Sequence, residues 1–376
     1  MPCLKGNTVH IDLGALVENL AALKALLAKP DVGIMAVIKS DAYGHGLIQV
    51  AKALWKHGIW GFGISEIEEA IALRQAGIKS PILLLSGLCQ GTEEQVLGLD
   101  LITGVPDLGT LEGLERAASK RGVMAKVHLK IDTGMGRLGL TIEELIQIVR
   151  DRSHWPHLRF TGLYSHLSAA DDPGDPFNQD QIQRFEKAIV KIKALGWHPP
   201  EIHLANSAGL IHFKNAHHHL TRPGIALYGA YPGDQARLKL RLRPVMSFKS
   251  QVISIRSVPK GFPISYGHTY YTKRPSKIAV VPVGYDDGYP RSLSNKAWAL
   301  VRGIRCPVIG SICMKALMLD VTKAEGVRQG DEVVFLGRQG QDTITIEELA
   351  MWAGTISYEL LCLLGTRNQR HFIKER

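Results

Sequence analysis

The chain has 376 residues, of which 45% are hydrophobic and 21% are charged. This composition is typical of a globular protein and excludes a disordered chain, a collagen and a coiled coil. The 45 basic residues outnumber the 35 acidic ones and give a net charge of +10, but no run of Lys and Arg reaches the roughly 5–8 residues of a nucleic-acid patch, so we expect no nucleic-acid partner.

The cysteine count and the N-terminus bear on the compartment. Five cysteines without a C-x-x-C pair indicate neither a disulfide framework nor a zinc site, so we expect no metal. The first residues, MPCLKGNTVHIDLG, lack the apolar region of a secretory signal. No apolar stretch approaches the ~20 residues of a membrane helix. We therefore expect a cytoplasmic protein without membrane contact.

Eight short apolar runs alternate with helical patterns in the first 235 residues. The helical spacing is clearest over Ser65–Ala76 and Phe177–Leu195. Alternation of buried strands with helices of 10–15 residues indicates βαβ units and a parallel sheet, and eight such units predict a TIM (β/α)8 barrel. The predicted strands are Ile34–Ile38, Trp60–Ile64, Ile82–Leu85, Leu99–Thr103, Ala125–Ile131, Leu158–Tyr164, Glu201–Ala205 and Gly224–Tyr228.

The pattern changes after about residue 237, where β-rich runs are separated by Gly and Pro. We predict a second, mostly antiparallel β domain here, with one strong helical pattern at Thr345–Gly354. The predicted division is 1–236 for the barrel and 237–376 for the β domain, with Met1 to about His10 packing with the latter. The predicted strands are Val245–Val258, Lys277–Val283, Ala297–Arg302, Leu317–Val321 and Glu332–Leu336.

A glycine-rich loop from Gly134 to Gly139 matches the G-x-G-x-x-G pattern. A dinucleotide site also needs an acidic residue about 20 positions later, near the end of the next strand. Asp151 comes too early, so we do not predict such a site. Arg137 within the loop indicates instead an anion held by a guanidinium and backbone N–H groups.

Lys39 closes an apolar strand in the segment Ala36–Gly46. A lysine at a strand end lies at the C-terminal face of a barrel, where active sites form. Partial burial lowers a lysine pKa and provides a neutral amine for a Schiff base. Taken by itself, such a lysine is as well explained by a side chain that reaches solvent; the surrounding motifs decide between the two.

The segment Ala36–Gly46 resembles the pyridoxal-phosphate lysine signature of the alanine racemase family, with Ser40 where Ala is common. The resemblance continues in order through most of the chain, in the blocks 130–139, 164–172, 205–207, 222–229, 265–267, 283–288 and 309–314. It implies a TIM barrel with a β domain, a head-to-tail homodimer with shared active sites, pyridoxal 5'-phosphate as cofactor and an amino acid as substrate.

The family likeness also implies residue roles. Lys39 and Tyr266, the latter from the partner subunit, are the two bases on opposite faces of a planar carbanion, which the cofactor ring stabilises. His166 links the tyrosine to Arg222, the partner of the pyridine nitrogen. The phosphate is held by Tyr43, Ser207 and the N–H groups of Gly224 and Ile225; Asn206 completes the cofactor residues. Arg137 and the backbone of Met314 of the partner hold the substrate carboxylate.

Further implied positions are Lys130, which is often carbamylated in the family, and an entrance formed by Tyr285, Arg291 and Lys315. Three departures from the family concern this region: Lys315-Ala316 replaces Asp-Gln, Ser311 stands where Arg is common, and Thr366 stands where some members have a phosphate-binding tyrosine. The loss of one cation and the gain of another suggest a charge swap. We expect Lys315 to act on the charges of Arg137 or Arg291 and to tune substrate entry.

The expected activity is the interconversion of L- and D-alanine, which would supply D-alanine for peptidoglycan. Alternatives are a racemase of serine or another amino acid, a basic amino-acid decarboxylase, whose signature we do not find, and a non-catalytic pyridoxal-phosphate-binding protein, a class that lacks the β domain. We interpret His217, His218 and His219 as a solvated loop, because adjacent histidines rarely converge on one metal ion. Cys313 has no paired base and is interpreted as a packing residue.

Overall fold

The computed structural model of the protein describes residues 6–373. After a first strand, strands and helices alternate up to residue 221. In chain order these elements are β1 (Thr8–Asp12), α1 (Leu13–Lys24), β2 (Gly33–Val37), α2 (Lys39–Tyr43), α3 (Leu47–Trp55), β3 (Gly61–Ile64), α4 (Ile67–Gln75), β4 (Ile82–Leu84), α5 (Glu93–Gly98), β5 (Ile102–Val105), α6 (Leu108–Arg121), β6 (Ala125–Lys130), α7 (Ile142–Arg150), β7 (Leu158–Tyr164), α8 (Phe177–Ala194), β8 (Glu201–His203), α9 (Ser207–His212) and β9 (Leu220–Thr221).

Strands β2 to β9 close into a parallel barrel, because β9 pairs with both β8 and β2. Several helices begin with a side-chain cap: Thr141 Oγ1 accepts from the Glu144 N–H, and the Glu144 carboxylate accepts from the Thr141 N–H. Such a capping box satisfies two N–H groups that the first helical turn leaves free. The predicted TIM barrel is confirmed.

Two predicted barrel strands differ from the observed ones. The fourth, predicted at Leu99–Thr103, is β5 and begins at Ile102, because Leu99 still caps α5. The eighth, predicted at Gly224–Tyr228, is wrong: β9 precedes it, and Ile225–Tyr228 form a buried 3-10 helix. A short apolar run that is buried on all sides does not distinguish a strand from a helical turn.

The remaining elements form the second domain. They are β10 (Met246–Gln251), β11 (Ser254–Val258), β12 (Pro263–Ile264), β13 (Tyr270–Tyr271), β14 (Ser276–Val281), β15 (Trp298–Val301), β16 (Ile304–Ile309), β17 (Leu317–Asp320), β18 (Glu332–Gln339), β19 (Asp342–Ile344), α10 (Ile346–Ala353), α11 (Ser357–Arg367) and β20 (Gln369–Ile373). Their main sheet has the order β11-β14-β17-β16-β15-β18-β10-β1-β20, with β19 beside β18. All pairings within it are antiparallel except that of β1 with β20.

The predicted antiparallel sheet is confirmed, but several of its elements differ from the sequence prediction. The run Val245–Val258 is two strands, β10 and β11. Strands β16 and β20 and helix α11 were not predicted. In β16, Arg305 and Pro307 interrupt the apolar pattern. Helix α11 has only a weak helical periodicity of apolar residues. Strand β1 lies in this sheet; the rest of the predicted N-terminal segment, Met1 to Lys5, lies outside the described residues, as does Cys3.

A continuous apolar core joins the first half of the barrel to the β domain. It runs from Leu16 and Phe62 through Tyr228 to Phe248 and Phe335, all at most 1% exposed. Helix α11 of the β domain packs on α2. At this contact Gly365 lies so close to the Gly44 carbonyl that a Cβ atom at position 365 would not fit. The β domain thereby holds the segment that follows Lys39.

Candidate active site

A cleft of about 960 Å³ opens at the C-terminal ends of the barrel strands. Residues of the β domain, including Tyr358 and Cys362 of α11, form one of its walls. The cleft brings together ten of the residues that the sequence analysis selected. These are Lys39, Tyr43, Lys130, Arg137, His166, Asn206, Ser207, Arg222, Gly224 and Ile225.

Lys39 is followed by a left-handed helical turn. Residues Ser40 to Tyr43 all have φ between 53° and 55°, a conformation that costs non-glycine residues roughly 1–2 kcal/mol each. Neighbouring groups hold the turn in place. Asp41 accepts from the Leu47 N–H at 2.7 Å and forms an ion pair with Arg370 of β20. The strained turn thus depends on the β domain.

Lys39 lies in surroundings that disfavour its charge. Burial is the largest cause that lowers the pKa of its amine, and the positive charge of Arg137 adds to it; the carboxylate of Glu69 partly opposes both. A lowered pKa increases the fraction of neutral amine, which is the form that acts as a base or nucleophile. The chemical reason for selecting Lys39 therefore agrees with its environment.

Arg222 is 3% exposed and lies at the end of a chain of buried imidazoles. Its Nη1 donates to His203 Nδ1 at 2.8 Å, and His203 Nε2 lies 2.9 Å from His128 Nδ1. Because a guanidinium only donates, His203 Nδ1 must be the acceptor and its Nε2 carries the proton. His128 then accepts at Nδ1 and has its own proton at Nε2, which lies 3.9 Å from Glu201.

The guanidinium also fixes the tautomer of His166. Arg222 Nη2 donates to the carbonyl oxygens of Ser165 at 2.7 Å and Leu204 at 3.0 Å, and it lies 3.3 Å from His166 Nδ1. His166 Nδ1 is therefore an acceptor, and its Nε2–H remains available as a donor. Burial, reinforced by the charge of Arg222, lowers the pKa of His166 well below its usual value, so this imidazole is neutral.

Lys130 is buried at the end of β6. Burial, followed by the positive charges of Arg137 and Arg222, lowers its pKa to about 8. Its ammonium nitrogen and the Arg222 guanidinium each lie 5.6 Å from the ring centre of Tyr164, whose hydroxyl donates to the Leu85 carbonyl. The two cations share one aromatic ring, and the Asp132 carboxylate only partly opposes the lowering of the Lys130 pKa.

The phosphate-binding residues of the sequence analysis converge at one end of the cleft. Ser207 Oγ accepts from the N–H groups of Gly224 at 2.8 Å and Ala226 at 3.3 Å, which leaves the serine proton free to donate. The Gly224 N–H, which was predicted to bind the phosphate, is thus engaged by Ser207 in this structure. A side chain at position 224 would collide with the Tyr43 hydroxyl, so glycine is required there. Asn206 has a structural role as well: its Oδ1 accepts from the Gly209 N–H and caps α9.

One aromatic residue of the cleft was missed by the sequence analysis. The Tyr358 ring packs beside Tyr43 at a tilt of 46°, with ring centres 6.0 Å apart, and burial raises the pKa of Tyr358 to about 12. Thr366, where the sequence analysis placed the missing tyrosine, is exposed on α11 and donates to the Cys362 carbonyl. Tyr358 lies eight residues earlier on the same helix, α11, and brings an aromatic hydroxyl to the cleft. No local motif marks it, so only the fold identifies it.

The loop around Arg137 differs from the expectation in one respect. The Asp132 carboxylate accepts from the N–H groups of Gly134, Met135 and Gly136 at 2.8–2.9 Å. These three N–H groups are therefore not available to a bound anion, and the predicted anion contact of the loop stays a prediction for Arg137 and the N–H groups that follow Gly136. The exposed Arg137 side chain remains the cationic group that the loop presents to the cleft.

The other predicted residues lie together on the β domain and not in this cleft. Tyr266 is 72% exposed and Met314 is 57% exposed, and Tyr285 and Lys315 lie beside them. Ser311 Oγ donates to the Tyr266 carbonyl at 3.0 Å, and Ser265 Oγ donates to the Ser311 carbonyl at 2.6 Å. We call this set, Tyr266, Tyr285, Arg291, Met314 and Lys315, the β-domain half-site. One chain thus presents two separate sets of candidate residues.

The three adjacent histidines do not form the solvated loop that was predicted. His217 is 1% exposed; its Nδ1 accepts from the Ala28 N–H and its Nε2 donates to the Leu210 carbonyl. His219 Nδ1 accepts from the Ile202 N–H. These imidazoles tie neighbouring segments to the barrel. Within residues 6–373 there is no group of three or more His, Cys, Asp or Glu side chains arranged to hold a metal ion.

No single helix between residues 6 and 373 is both long and apolar enough to cross a bilayer. Helices α10 and α11 meet those requirements only when counted together, and they are bent by 103° relative to each other.

Two family models match the chain. The model described as "Alanine racemase, N-terminal domain" matches residues 11–232, and "Alanine racemase, C-terminal domain" matches residues 245–372. Among curated proteins, the alanine racemase of Symbiobacterium thermophilum is 41% identical over 98% of this chain and 97% of its own. The alanine racemase of Syntrophobacter fumaroxidans is 42% identical over 97% and 96%.

Solved structures give the same result. Alanine racemase from Streptomyces lavendulae is 33% identical, with a TM-score of 0.93 over 98% of this chain and 97% of that one. Alanine racemase from Bartonella henselae, whose structure contains covalently bound pyridoxal phosphate, is 30% identical, with a TM-score of 0.89 over 98% and 99%.

Proposed function

Because this chain belongs to the alanine racemase family, we propose that it interconverts L-alanine and D-alanine with pyridoxal 5'-phosphate as its cofactor. The observation that carries the proposal is that one cleft is lined by Lys39, by Arg222 and by the hydrogen-bonded pair of Ser207 and Gly224. In a bacterial source, the D-alanine formed would enter peptidoglycan. The cytoplasmic location expected from the sequence stays a prediction.

The residues of the cleft fit pyridoxal phosphate. The Ser207 hydroxyl proton, the Tyr43 and Tyr358 hydroxyls and the close-approach position at Gly224 suit a phosphate group. The Arg222 guanidinium, fixed by His203 and two carbonyl oxygens, would face the ring nitrogen. An arginine does not release its proton there, so the nitrogen would stay unprotonated. When bound, the cofactor acidifies the Cα–H bond of an attached amino acid.

Two side chains would move the proton at Cα. The Lys39 amine would serve one face of the substrate, and Tyr266 of a second copy would serve the other, since Tyr266 of this chain is exposed and does not line its own Lys39 cleft. The neutral His166, with its proton on Nε2, would donate to the Tyr266 phenolate oxygen and favour that charged form. The mechanism thus has one base from each subunit of a homodimer.

The substrate carboxylate would be held from both subunits. Arg137 supplies a guanidinium from the barrel loop, and the Met314 N–H, which makes no hydrogen bond within residues 6–373, supplies a neutral donor from the partner. The small side chain of alanine has no polar group that the cleft would have to bind. The racemase alternatives for serine or a larger amino acid differ in this side chain alone.

The proposal is tested with purified protein, added cofactor and a panel of amino acids in heavy water. L-Alanine should exchange its Cα–H and end as equal amounts of both enantiomers, and borohydride should then attach the cofactor to Lys39, identified by peptide mass. Lys39→Ala, at the same cofactor concentration, is the control and should show neither. Faster exchange with another amino acid, or labelling of another lysine, would overturn the assignment.

A further inference from the structure

Lys315 lies next to Met314 in the β-domain half-site, and its charge is neutralised. Its Nζ is 2.7 Å from Asp287 Oδ1 and 2.7 Å from Asp286 Oδ2, and these two carboxylates are the negative charges that raise its pKa. The expected action of this ammonium on Arg137 or Arg291 therefore has no support in the structure. Lys315 donates to its own domain and is not presented as a free cation at the entrance.

The two carboxylates belong to a turn that is bound to the Met314 segment. The Tyr285 N–H donates to the Cys313 carbonyl and the Asp286 N–H donates to the Met314 carbonyl, both at 3.2 Å. Gly284 packs so tightly against the Met314 carbonyl that a Cβ atom would not fit. The Lys315 side chain adds a third connection between the same two segments. Here the donor comes from the Met314 segment, and the acceptors belong to the turn.

Asp287 gives this connection a buried end. Its side chain is 6% exposed; Oδ2 accepts from the Gly284 N–H at 3.0 Å, and Oδ1 accepts from Lys315. Exposed ion pairs contribute little to stability, but removing the partner of a largely buried carboxylate leaves an uncompensated charge. Without Lys315, Asp287 would keep one hydrogen bond, and the turn would be free to rearrange.

The charges around Lys315 also balance, with two carboxylates and two cations. Asp286 and Asp287 are opposed by Lys315 and by Arg367, whose Nη1 lies 4.0 Å from Asp286. Removing the ammonium would leave a net negative charge close to the Met314 N–H. In the proposed function, that N–H receives the negatively charged carboxylate of the substrate, so an added negative charge would weaken substrate binding.

We propose that Lys315 is a positioning residue for the substrate carboxylate. Through Asp286 and Asp287, it fixes the Gly284–Asp287 turn against Met314, so that the Met314 N–H and the Tyr285 ring keep their places for the substrate in the partner's cleft. This role rests on the proposed racemase with its shared site. It also differs from a steering role, because Lys315 and Arg367 balance the two carboxylates and the group carries no net charge that would attract substrate.

The test compares Lys315→Met, which keeps the length but not the charge, with Lys315→Arg, which keeps both. Lys260→Met, at an exposed lysine of the same domain with no ion pair among the described residues, is the matched control. Hydrogen–deuterium exchange of the holoenzyme is measured for peptides that cover 284–288 and 313–316. Steady-state kinetics with L-alanine gives KM and kcat.

We expect Lys315→Met to raise exchange in both peptides and KM about tenfold with kcat within about twofold, while Lys315→Arg and Lys260→Met match the unchanged protein. A rise in exchange without a rise in KM would reduce Lys315 to a structural residue and overturn the proposal. A rise in KM without a change in exchange would also overturn it, in favour of direct attraction of substrate. Failure of the unchanged protein to racemise alanine would instead refute the proposed function.

Discussion

Two lysine side chains of the cleft are held where their charged forms are disfavoured. Burial is the main cause for both Lys39 and Lys130, and the charge of Arg137 acts on each. Desolvation stabilises the neutral amine relative to the ammonium ion. The site therefore contains two amines that are more reactive than ordinary surface lysines.

Lys130 should react reversibly with carbon dioxide. Its pKa of about 8 means that the neutral amine, the form that reacts, increases as the pH rises through that value. We predict that protein equilibrated with ¹³C-bicarbonate shows a carbamate signal by NMR that is weak at about pH 6 and strong at about pH 9. The negative carbamate would also compensate the charges of Arg137 and Arg222.

The Lys130→Gln variant is the control for this signal. It keeps a polar side chain of similar length and lacks the amine. A signal that persists in Lys130→Gln, or that is absent from the unchanged protein throughout this pH range, would contradict the prediction.

The residues that the sequence identified most reliably are those with a local reason to be reactive. Lys39, Arg222 and Ser207 each follow the end of a strand, so the barrel topology alone carries them to one face. Tyr358 escaped notice because α11 was not predicted and because its partner Tyr43 lies more than 300 positions away in the chain. Long-range contacts of this kind leave no pattern in a single sequence.

At the scale of elements, the left-handed turn after Lys39 is the unusual feature. Four consecutive residues in this conformation are stabilised from outside: His45 Nδ1 donates to the carbonyl oxygens of Ala42 and Tyr43, and Arg370 pairs with Asp41. Strain of this type persists only where surrounding contacts enforce it. Here the contacts come from the barrel and from the β domain together.

Ser40 allows the strain to be measured, because it is exposed and has φ of 54°. Ser40→Gly removes the steric cost of this conformation and should raise the free energy of unfolding by about 1 kcal/mol, whereas the β-branched Ser40→Val should lower it by about 1 kcal/mol or more. Urea unfolding of the cofactor-free protein provides the measurement. Equal stabilities for the two variants would show that the turn is not strained at this position.

The element predictions failed where local patterns are ambiguous. Ile225–Tyr228 is an apolar run that packs as a 3-10 helix, because β9 already closes the barrel at Leu220–Thr221. Strand β16 was hidden by Arg305 and Pro307, and Arg305 is satisfied by Asp342 and Glu348 in the folded protein. Tertiary pairing determines these elements more than periodicity does.

The whole molecule contains several histidines that burial keeps neutral. Burial lowers the pKa of His45 and of His218 to about 4 and that of His128 to about 3, and it lowers the pKa of His166 and His203 well below the usual value. In the unfolded chain these imidazoles bind protons near pH 6.5. When the pH falls below that value, the unfolded chain binds protons that the folded protein does not. The unfolded state is thereby stabilised relative to the folded state.

We predict that the free energy of unfolding is nearly constant between about pH 7 and 8 and falls steadily between about pH 6.5 and 4, by up to ~1.4 kcal/mol per pH unit for each such histidine. The measurement is denaturant unfolding as a function of pH. His218→Gln should reduce the slope of the free energy of unfolding against pH by the contribution of one proton, up to ~1.4 kcal/mol per pH unit. A free energy of unfolding that stays level from pH 7 to pH 5 would contradict the histidine account.

The largest-scale feature is the division of the functional residues between two places. The cleft contains Lys39 with the residues proposed to hold the cofactor, and the β-domain half-site contains Tyr266 and Met314, which are exposed. From the sequence alone, only the family resemblance suggested that these sets meet across two subunits. A second copy that places its half-site over the cleft would give each site both bases.

Hybrid dimers test this division most directly. Lys39→Ala and Tyr266→Phe proteins are each expected to be inactive. After subunit exchange, a hybrid has one site with Lys39 from one subunit and Tyr266 from the other, so random pairing should restore about a quarter of the unchanged activity. We predict that alanine racemisation returns to about this level on mixing; no return of activity, with hybrid dimers verified by native mass spectrometry, would contradict a site shared between two copies.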